Sequence, residues 1–427
     1  MFSIMTDQKV LAYLSGLVQK GIHLDLCAIE AVLARMNSPQ NSYPSVLVAG
    51  TNGKGSICAM TSSILSAAGY NVGLYTSPHL VDIRERIRYK GRMISREDMV
   101  SCIEDVRQCA DDSLTYFEFL TACAFQYFRK KKVDIAVLEV GMGGRLDATN
   151  VVKSVVSAVS NIAVEHSAYL GSHLSQIAAE KAGVIKEGGI CITAATQSSV
   201  IMVMEDVCRE RRATLYRVGR DIRVKGNDAQ SGFSYRGLDR TYLKLFSSLR
   251  GRHQVRNAAI ALGITEILCR RGWLITEQAI RDGLCSTRWE GRLEVVEENP
   301  RVVLDGAHNP AGIAALCSAL KEIFFYKKLI VVCGVLEDKN YKRMIRAIAA
   351  KADILILTRP VSERAMPPQE MTDIANRYCP HVLIEDRPDE ALAMAWSMAA
   401  PEDLICVTGS LYLVGRIKEL LSPSIKS

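Results

Sequence analysis

An α/β fold with two parallel-sheet domains is predicted, on three observations. Short apolar runs alternate with helix-period stretches along nearly the whole 427-residue chain. The alternation starts afresh near Arg301, after a polar stretch. One early run, SVLVAG at 45–50, breaks into glycines around a single lysine before a helical pattern begins, the layout of a phosphate-binding loop at a sheet edge.

Taken in order, the first series has strands SVLVAG, NVGLYT, DIAVLEVG, SVVSAVSNIA and ICITAA, with helical stretches such as 57–68 and 117–128 between them. Segment 215–250 differs: its polar alternation and turn residues predict a small antiparallel excursion on the first domain's edge. The polar stretch TRWEGRLEVVEENP at 287–300 separates the two series, so the boundary is drawn there, giving domains 1–289 and 290–427. The second series has strands RVVLDG, KKLIVVCGV, ADILILT, HVLIED and DLICVTG, with helices such as 310–325 and 388–399.

Composition narrows the function. The chain is 48% hydrophobic and 23% charged, the balance of a globular enzyme with a sizeable core. No apolar run is long enough for a membrane span, and MFSIMTDQKV lacks the features of a signal peptide. The thirteen cysteines are scattered, odd in number and without a C-x-x-C pair, so free thiols in a reducing cytoplasm are expected. A net charge of +7 suits anionic small substrates. The tract RKKK at 129–132 reads as a solvated helix end, and no nucleic-acid partner is implied.

In GTNGKGS, at 50–56, glycines bring backbone N–H groups to an anion, Lys54 can bridge β- and γ-phosphate oxygens, and Ser56 can place a hydroxyl on Mg²⁺. The loop departs from G-x-x-x-x-G-K-[ST], because Gly55 separates the lysine from the serine. Glu139 ends an apolar strand and either holds Mg²⁺ near the phosphates or caps the glycine turn after it. His166 also follows a strand, as a ligand or as a hydrogen-bonded structural residue. Lys181 reads from the residues alone as a helix-surface lysine, and Arg292 as a phosphate-reaching or a solvated charge between the domains.

These blocks, together with TSPHL (76–80), TYFEF (115–119), LEVGMGGRLDATN (138–150), EKAG (180–183), RHQVRNA (252–258), GRLE (291–294) and DGAHNPAG (305–312), resemble the folylpolyglutamate synthase/dihydrofolate synthase family of the Mur ligase superfamily over nearly the whole chain. The resemblance implies a P-loop Mur-ligase-like ATPase domain with a parallel sheet and a smaller Rossmann-like C-terminal domain. It implies ATP contacts from Gly53, Lys54, Gly55, Ser56, Ile57, Asn257, Arg292 and Asp305. Two Mg²⁺ ions would be served by Ser56, Ser77, Glu139, His166 and a carbamylated Lys181. Lys54, Lys181 and His308 would be the catalytic groups.

Thr115, Phe117, Asp147 and Ala148 match the pterin/folate pocket of bifunctional bacterial members. An aspartate can read a pterin's donor/acceptor edge, and Phe117 can stack on its face. The implied substrates are dihydropteroate, reduced folates, L-glutamate and ATP, acted on by a cytoplasmic monomer. Two positions depart from the family pattern: Glu165 stands where an aspartate usually precedes the histidine, and Asn340 replaces the aspartate after Lys339. A ligase acting on nucleotide-linked cell-wall precursors is disfavoured by the TYFEF and RLDATN pair. A plain ATP switch is disfavoured by DGAHNPAG and the Lys181 block. A dinucleotide oxidoreductase fails because RVVLDG leads into AHNP, not a G-x-G-x-x-G turn.

Overall fold

The computed structural model describes residues 7–18, 21, 24–110, 113–165, 167–226 and 228–421. The first series folds into an eight-stranded sheet. Its strands are β1 (Ser45–Ala49), β2 (Val72–Tyr75), β3 (Ile87–Tyr89), β4 (Arg92–Met93), β5 (Ile135–Glu139), β6 (Ser154–Val159), β7 (Ile190–Thr193) and β8 (Thr214–Arg217). The spatial order is β4-β3-β2-β5-β1-β6-β7-β8. Neighbours from β2 to β8 pair in parallel, while β3 and β4 turn back antiparallel. Every residue of β1 and β5 is buried, as a sheet covered by helices on both faces requires. Side-chain alternation splits them: Leu47 and Ala49 join the core on one face, Val46 and Val48 the core on the other.

A separate antiparallel sheet, in order β11-β10-β9, holds β9 (Arg223–Lys225), β10 (Phe233–Arg236) and β11 (Thr241–Leu245). Buried Glu266 of helix Arg252–Arg270 ties it down, accepting from Tyr235 Oη (3.0 Å), Leu238 N (2.7 Å) and Arg240 N (2.9 Å). The second series forms a six-stranded sheet ordered β12-β13-β17-β14-β15-β16. Its strands are β12 (Glu294–Glu298), β13 (Arg301–Leu304), β14 (Leu329–Cys333), β15 (Ile354–Leu357), β16 (His381–Ile384) and β17 (Leu404–Thr408). All pair in parallel except β12 with β13.

Two details differ from the sequence reading. Thr214–Arg217, at the start of the expected antiparallel excursion, is instead the parallel edge strand β8 of the main sheet. The polar stretch between the series contains β12, whose half-buried residues suit a sheet edge. The basic tract at 129–132 is the solvated helix end the sequence predicts, with surface ion pairs from Lys130 to Asp105 (2.7 Å) and Lys131 to Asp98 (2.8 Å).

The second domain seats closely on the first. A Cβ on Gly415, in helix Leu411–Leu421, would lie 2.0 Å from the carbonyl oxygen of Leu80. All thirteen cysteines are free thiols. Among the described residues no helix is long and apolar enough to cross a membrane.

Candidate active site

The phosphate loop leaves β1 at the carboxyl edge of the main sheet, between the ends of β5 and β6, where open α/β sheets bind ligands. Its shape demands glycine twice. Gly50 has φ +135° and a Cβ there would sit 1.9 Å from Ser160 Oγ; Gly53 has φ +87° and a Cβ would sit 2.5 Å from Asn257 Oδ1. The loop is clipped to the chain beyond β6 through Thr51 N to Asn161 O (2.8 Å) and a two-way exchange between Thr51 Oγ1 and Ala163. Helix Lys54–Ala67 then starts directly at the loop, so its N-terminal dipole and free N–H groups face the same space.

Lys54 Nζ donates to the loop's own carbonyls, Gly50 O (3.0 Å) and Thr51 O (3.2 Å). Ser56 Oγ accepts from Gln254 Nε2 (3.3 Å), and Gln254 Oε1 accepts from Asn257 Nδ2 (2.8 Å), so RHQVRNA lies against the loop. Glu139, at the end of β5, is buried; its Oε2 accepts from Ser77 N (3.0 Å). Burial pushes the Glu139 carboxyl up, while Lys54, the Ser77 amide, Arg292 and Arg86 pull it down. Three predicted groups from three segments therefore act on one carboxylate. Glu139, Ser77, Gly55 and Arg292 line one cavity, with His79, Arg88 and Trp289.

Lys181 is not on the surface. It is 1% exposed, and its Nζ donates to Gly50 O (2.9 Å) and Glu165 Oε1 (3.1 Å). Burial holds its ammonium down at about 8, with Glu165 opposing the shift. His166 lies outside the described residues. Across the cleft, Asp305 accepts from Leu293 N (2.9 Å) and Ala307 N (3.0 Å), bracing the turn that carries His308. His308 Nδ1 lies 2.8 Å from Gly306 O, and burial lowers its basicity to about 4, with Arg292 and Lys339 adding to the effect. Lys339 itself pairs with Asp338 (2.9 Å).

Of the four pterin-pocket candidates, Phe117, Asp147 and Ala148 gather around the turn after β5, and Thr115 starts the helix that carries Phe117. Thr115 caps helix Tyr116–Lys130 in a capping box with Glu118. Phe117 lies so close to Gly141 that a Cβ there would sit 2.6 Å from its ring, and it packs 6.0 Å from the Tyr75 ring. Asp147 is buried and accepts from Met142 N (2.9 Å), Thr149 N (3.0 Å) and Thr149 Oγ1 (2.5 Å), which shapes the turn that begins at buried Ala148. Burial pushes its carboxyl up against these hydrogen bonds.

A second, larger cavity of ≈ 610 Å³ opens beside the start of helix Arg252–Arg270, lined by Arg223, Arg252, His253 and Arg256 and by Ser318 of the second domain.

Sequence reasoning missed Asn52, Asn309, Gln254 and Trp289 as site residues. For Asn309 a signal existed, an asparagine just before a proline-led helix, which is a cap position. Trp289 carried none, but it fixes Gly55: a Cβ on Gly55 would lie 2.7 Å from Trp289 Cζ2, and Arg88 lies over the indole at 5.9 Å. Gly55→Ala should displace the indole, shift its fluorescence and weaken ATP binding about tenfold, within the usual cost of overpacking; titration of ATP against tryptophan emission checks this.

The residues fit a divalent cation. Among the described residues no three His, Cys, Asp or Glu side chains converge. What remains is one buried carboxylate with serine hydroxyls beside a phosphate loop, the oxygen-only setting in which Mg²⁺ binds between a carboxylate and substrate phosphates.

Comparison with known proteins places this geometry. The Mur ligase middle domain profile matches residues 48–265, and the profile of the Mur ligase glutamate ligase domain matches 291–411. The dihydrofolate synthase/folylpolyglutamate synthase of Bacillus subtilis is 34% identical over 99% of this chain and 100% of its own length. Escherichia coli FolC in complex with DHPP and ADP superposes with TM-score 0.90 at 32% identity, covering 97% of each chain. A bifunctional folylpolyglutamate synthase/dihydrofolate synthase with Mn, AMPPNP and L-glutamate bound superposes with TM-score 0.87 at 31% identity, over 96% of this chain and 97% of that one.

Proposed function

The chain belongs to the Mur ligase family, in its dihydrofolate synthase/folylpolyglutamate synthase branch, and from that membership we propose how its residues carry out ATP-driven glutamate ligation. The reaction joins L-glutamate to the carboxylate of dihydropteroate, or of a reduced folate. The acceptor carboxylate attacks the γ-phosphorus of ATP, ADP leaves, and an acyl phosphate forms. The glutamate amine then attacks the carbonyl carbon, phosphate departs, and the amine's proton is released.

Both first reactants are anionic, so the site's first task is to neutralise charge. Lys54 leaves its loop carbonyls for the β- and γ-phosphates, and the N–H groups from Gly53 to Ile57 receive phosphate oxygens at the helix start. Arg292 adds a second cation from the other side of the cleft. Asn257 and Asp305 hold the nucleoside. Ser56, Ser77 and Glu139 would hold one Mg²⁺, and His166 with a carbamylated Lys181 a second. Bound there, the ions supply Lewis-acid stabilisation of phosphoryl charge. His308 faces the reacting groups from the second domain, neutral at working pH. Phe117 stacks on the pterin and Asp147 reads its edge, with Thr115 and Ala148 shaping the pocket. We divide the chain at 289/290, which is supported by a helix ending at Ser286 and a second sheet beginning at Glu294. The protein works as a cytoplasmic monomer in this reading; a single light-scattering species near 47.0 kDa is the expected result.

One observation carries the site assignment: Lys54, Arg292 and the Ser77 amide all act on buried Glu139 at the junction of the two domains. The test follows phosphate release from Mg-ATP and L-glutamate with dihydropteroate, a reduced folate monoglutamate, or no acceptor, with products identified by mass. Turnover with both acceptors, each gaining one glutamate, is expected. Asp147→Ala should suppress the dihydropteroate reaction more than the folate reaction. Turnover with folate alone removes the dihydrofolate synthase activity, and phosphate release without acceptor removes the ligase.

A further inference from the structure

We propose that Asn52 and Asn309 form an interdomain clasp that positions the phosphate loop against the second domain. This rests on the ligase reading above only for its catalytic consequence. Asn52 sits inside the phosphate loop, next to Gly53 and Lys54. Its main chain is pinned to the first domain: its N–H donates to Asn161 Oδ1 (3.1 Å), and its carbonyl accepts from Ser160 Oγ (2.6 Å) and Asn161 Nδ2 (3.0 Å). Its side chain reaches the other way. Asn52 Nδ2 donates to Asn309 Oδ1 (3.2 Å), and Asn309 Nδ2 donates back to Asn52 Oδ1 (2.8 Å), across 257 residues of chain.

Asn309 is equally committed. It is 5% exposed, caps helix Pro310–Ile323 by accepting from Gly312 N (2.8 Å), and follows His308 directly. Both amides are thus used on both of their polar atoms. Asn309 is buried, so losing its partner leaves its amide unsatisfied, and undocking of the domains breaks both bonds at once. Any shift of the second domain is felt one residue from Gly53, and any shift of the loop is felt one residue from His308. Asn52 and Asn309 touch no reacting atom. They are positioning residues that keep Lys54 and His308 in register while the acyl phosphate waits for the amine.

Without the clasp, the loop keeps its bonds to the first domain and still binds nucleotide. The second domain seats more loosely, and water competes with glutamate for the acyl phosphate. The test compares Asn52→Ala, Asn309→Ser and the double variant with the wild type. Serine retains the helix cap but is too short to reach Asn52, and the two substitutions lie in different domains, so one misfolded variant does not end the test. Small-angle scattering of the ligand-free proteins should give a larger radius of gyration for each variant. Glutamate transfer should fall about tenfold in each variant, with ADP affinity within about twofold for Asn309→Ser, phosphate released per glutamylated product should rise above one, and the double variant should match the singles in transfer. Unchanged scattering with effects that multiply in the double variant overturns the clasp. A wild type that transfers no glutamate overturns the ligase reading instead, and scattering then decides the clasp alone.

Discussion

Lys54→Met should lower glutamate transfer to either acceptor by about a thousandfold, at the upper end of what one preorganised charge contributes, while the protein still folds. The loss is large because nothing else replaces the charge. Arg292 lies across the domain cleft, and Lys181 is committed to Glu165 and Gly50 O. The fold survives because, among the described residues, Lys54 forms no ion pair with a carboxylate and donates to two loop carbonyls. One of those, Gly50 O, keeps Lys181 Nζ at 2.9 Å. Methionine matches the length of the lysine stem and leaves the helix start intact. A second consequence separates this from general damage. Lys54 is the leading charge that pulls the buried Glu139 carboxyl down, so its removal should make that carboxyl easier to protonate and weaken Mg²⁺ binding in the acid range. Single-turnover acyl transfer, with Mg²⁺ titrated at two pH values, reads both. A loss of less than about tenfold would mean the loop binds ATP without Lys54.

Much of this was legible in the sequence, and the gaps have physical causes. Strands such as β1 and β5 announce themselves because both faces are buried: SVLVA is apolar after Ser45, and IAVLE is apolar until Glu139. Edge strands β4 and β12, and the short β3 beside β4, do not, since RM, EVVEE and IRY are short or half-wet, and the charges on RM and EVVEE protect an open edge. GTNGKGS was readable because glycine, lysine and serine each have a stated task at a phosphate. The asparagine in the same motif was not, because its partner lies in another domain and no local pattern encodes such a meeting. Lys181 is the sharpest case. Its residue type argues for the surface, and only the family resemblance gave it a role; the structure buries it beneath the phosphate loop.

That burial makes the fate of Lys181 the most informative remaining measurement. A carbamate forms only when a neutral amine attacks carbon dioxide, giving Lys–NH–COO⁻ and one proton. An ordinary lysine is almost wholly protonated at neutral pH, whereas burial brings Lys181 down to about 8. Below that value the neutral fraction falls about tenfold per pH unit. Activity recovered from a bicarbonate-depleted enzyme should therefore climb steeply between about pH 6 and 8 and level off by about pH 9. A group with ordinary lysine basicity would still be climbing well beyond that. Isotope-labelled bicarbonate should give a carbamate carbon resonance in the wild type that is missing from Lys181→Met. That variant should transfer glutamate at least about a hundredfold more slowly. The chemistry also changes the loop. As an ammonium, Lys181 shares Gly50 O with Lys54; as a carbamate it gives up that bond and its attraction to Glu165, and becomes an anion beside one. The new negative charge is tolerable only with cations brought in against it. Carbamylation and Mg-ATP binding should therefore reinforce each other, and the labelled resonance should strengthen when Mg-ATP is added. If the resonance is absent, Lys181 acts as an ammonium that braces Gly50, and the site holds one metal ion, not two; a resonance indifferent to Mg-ATP would mean that the carbamate holds no metal ion.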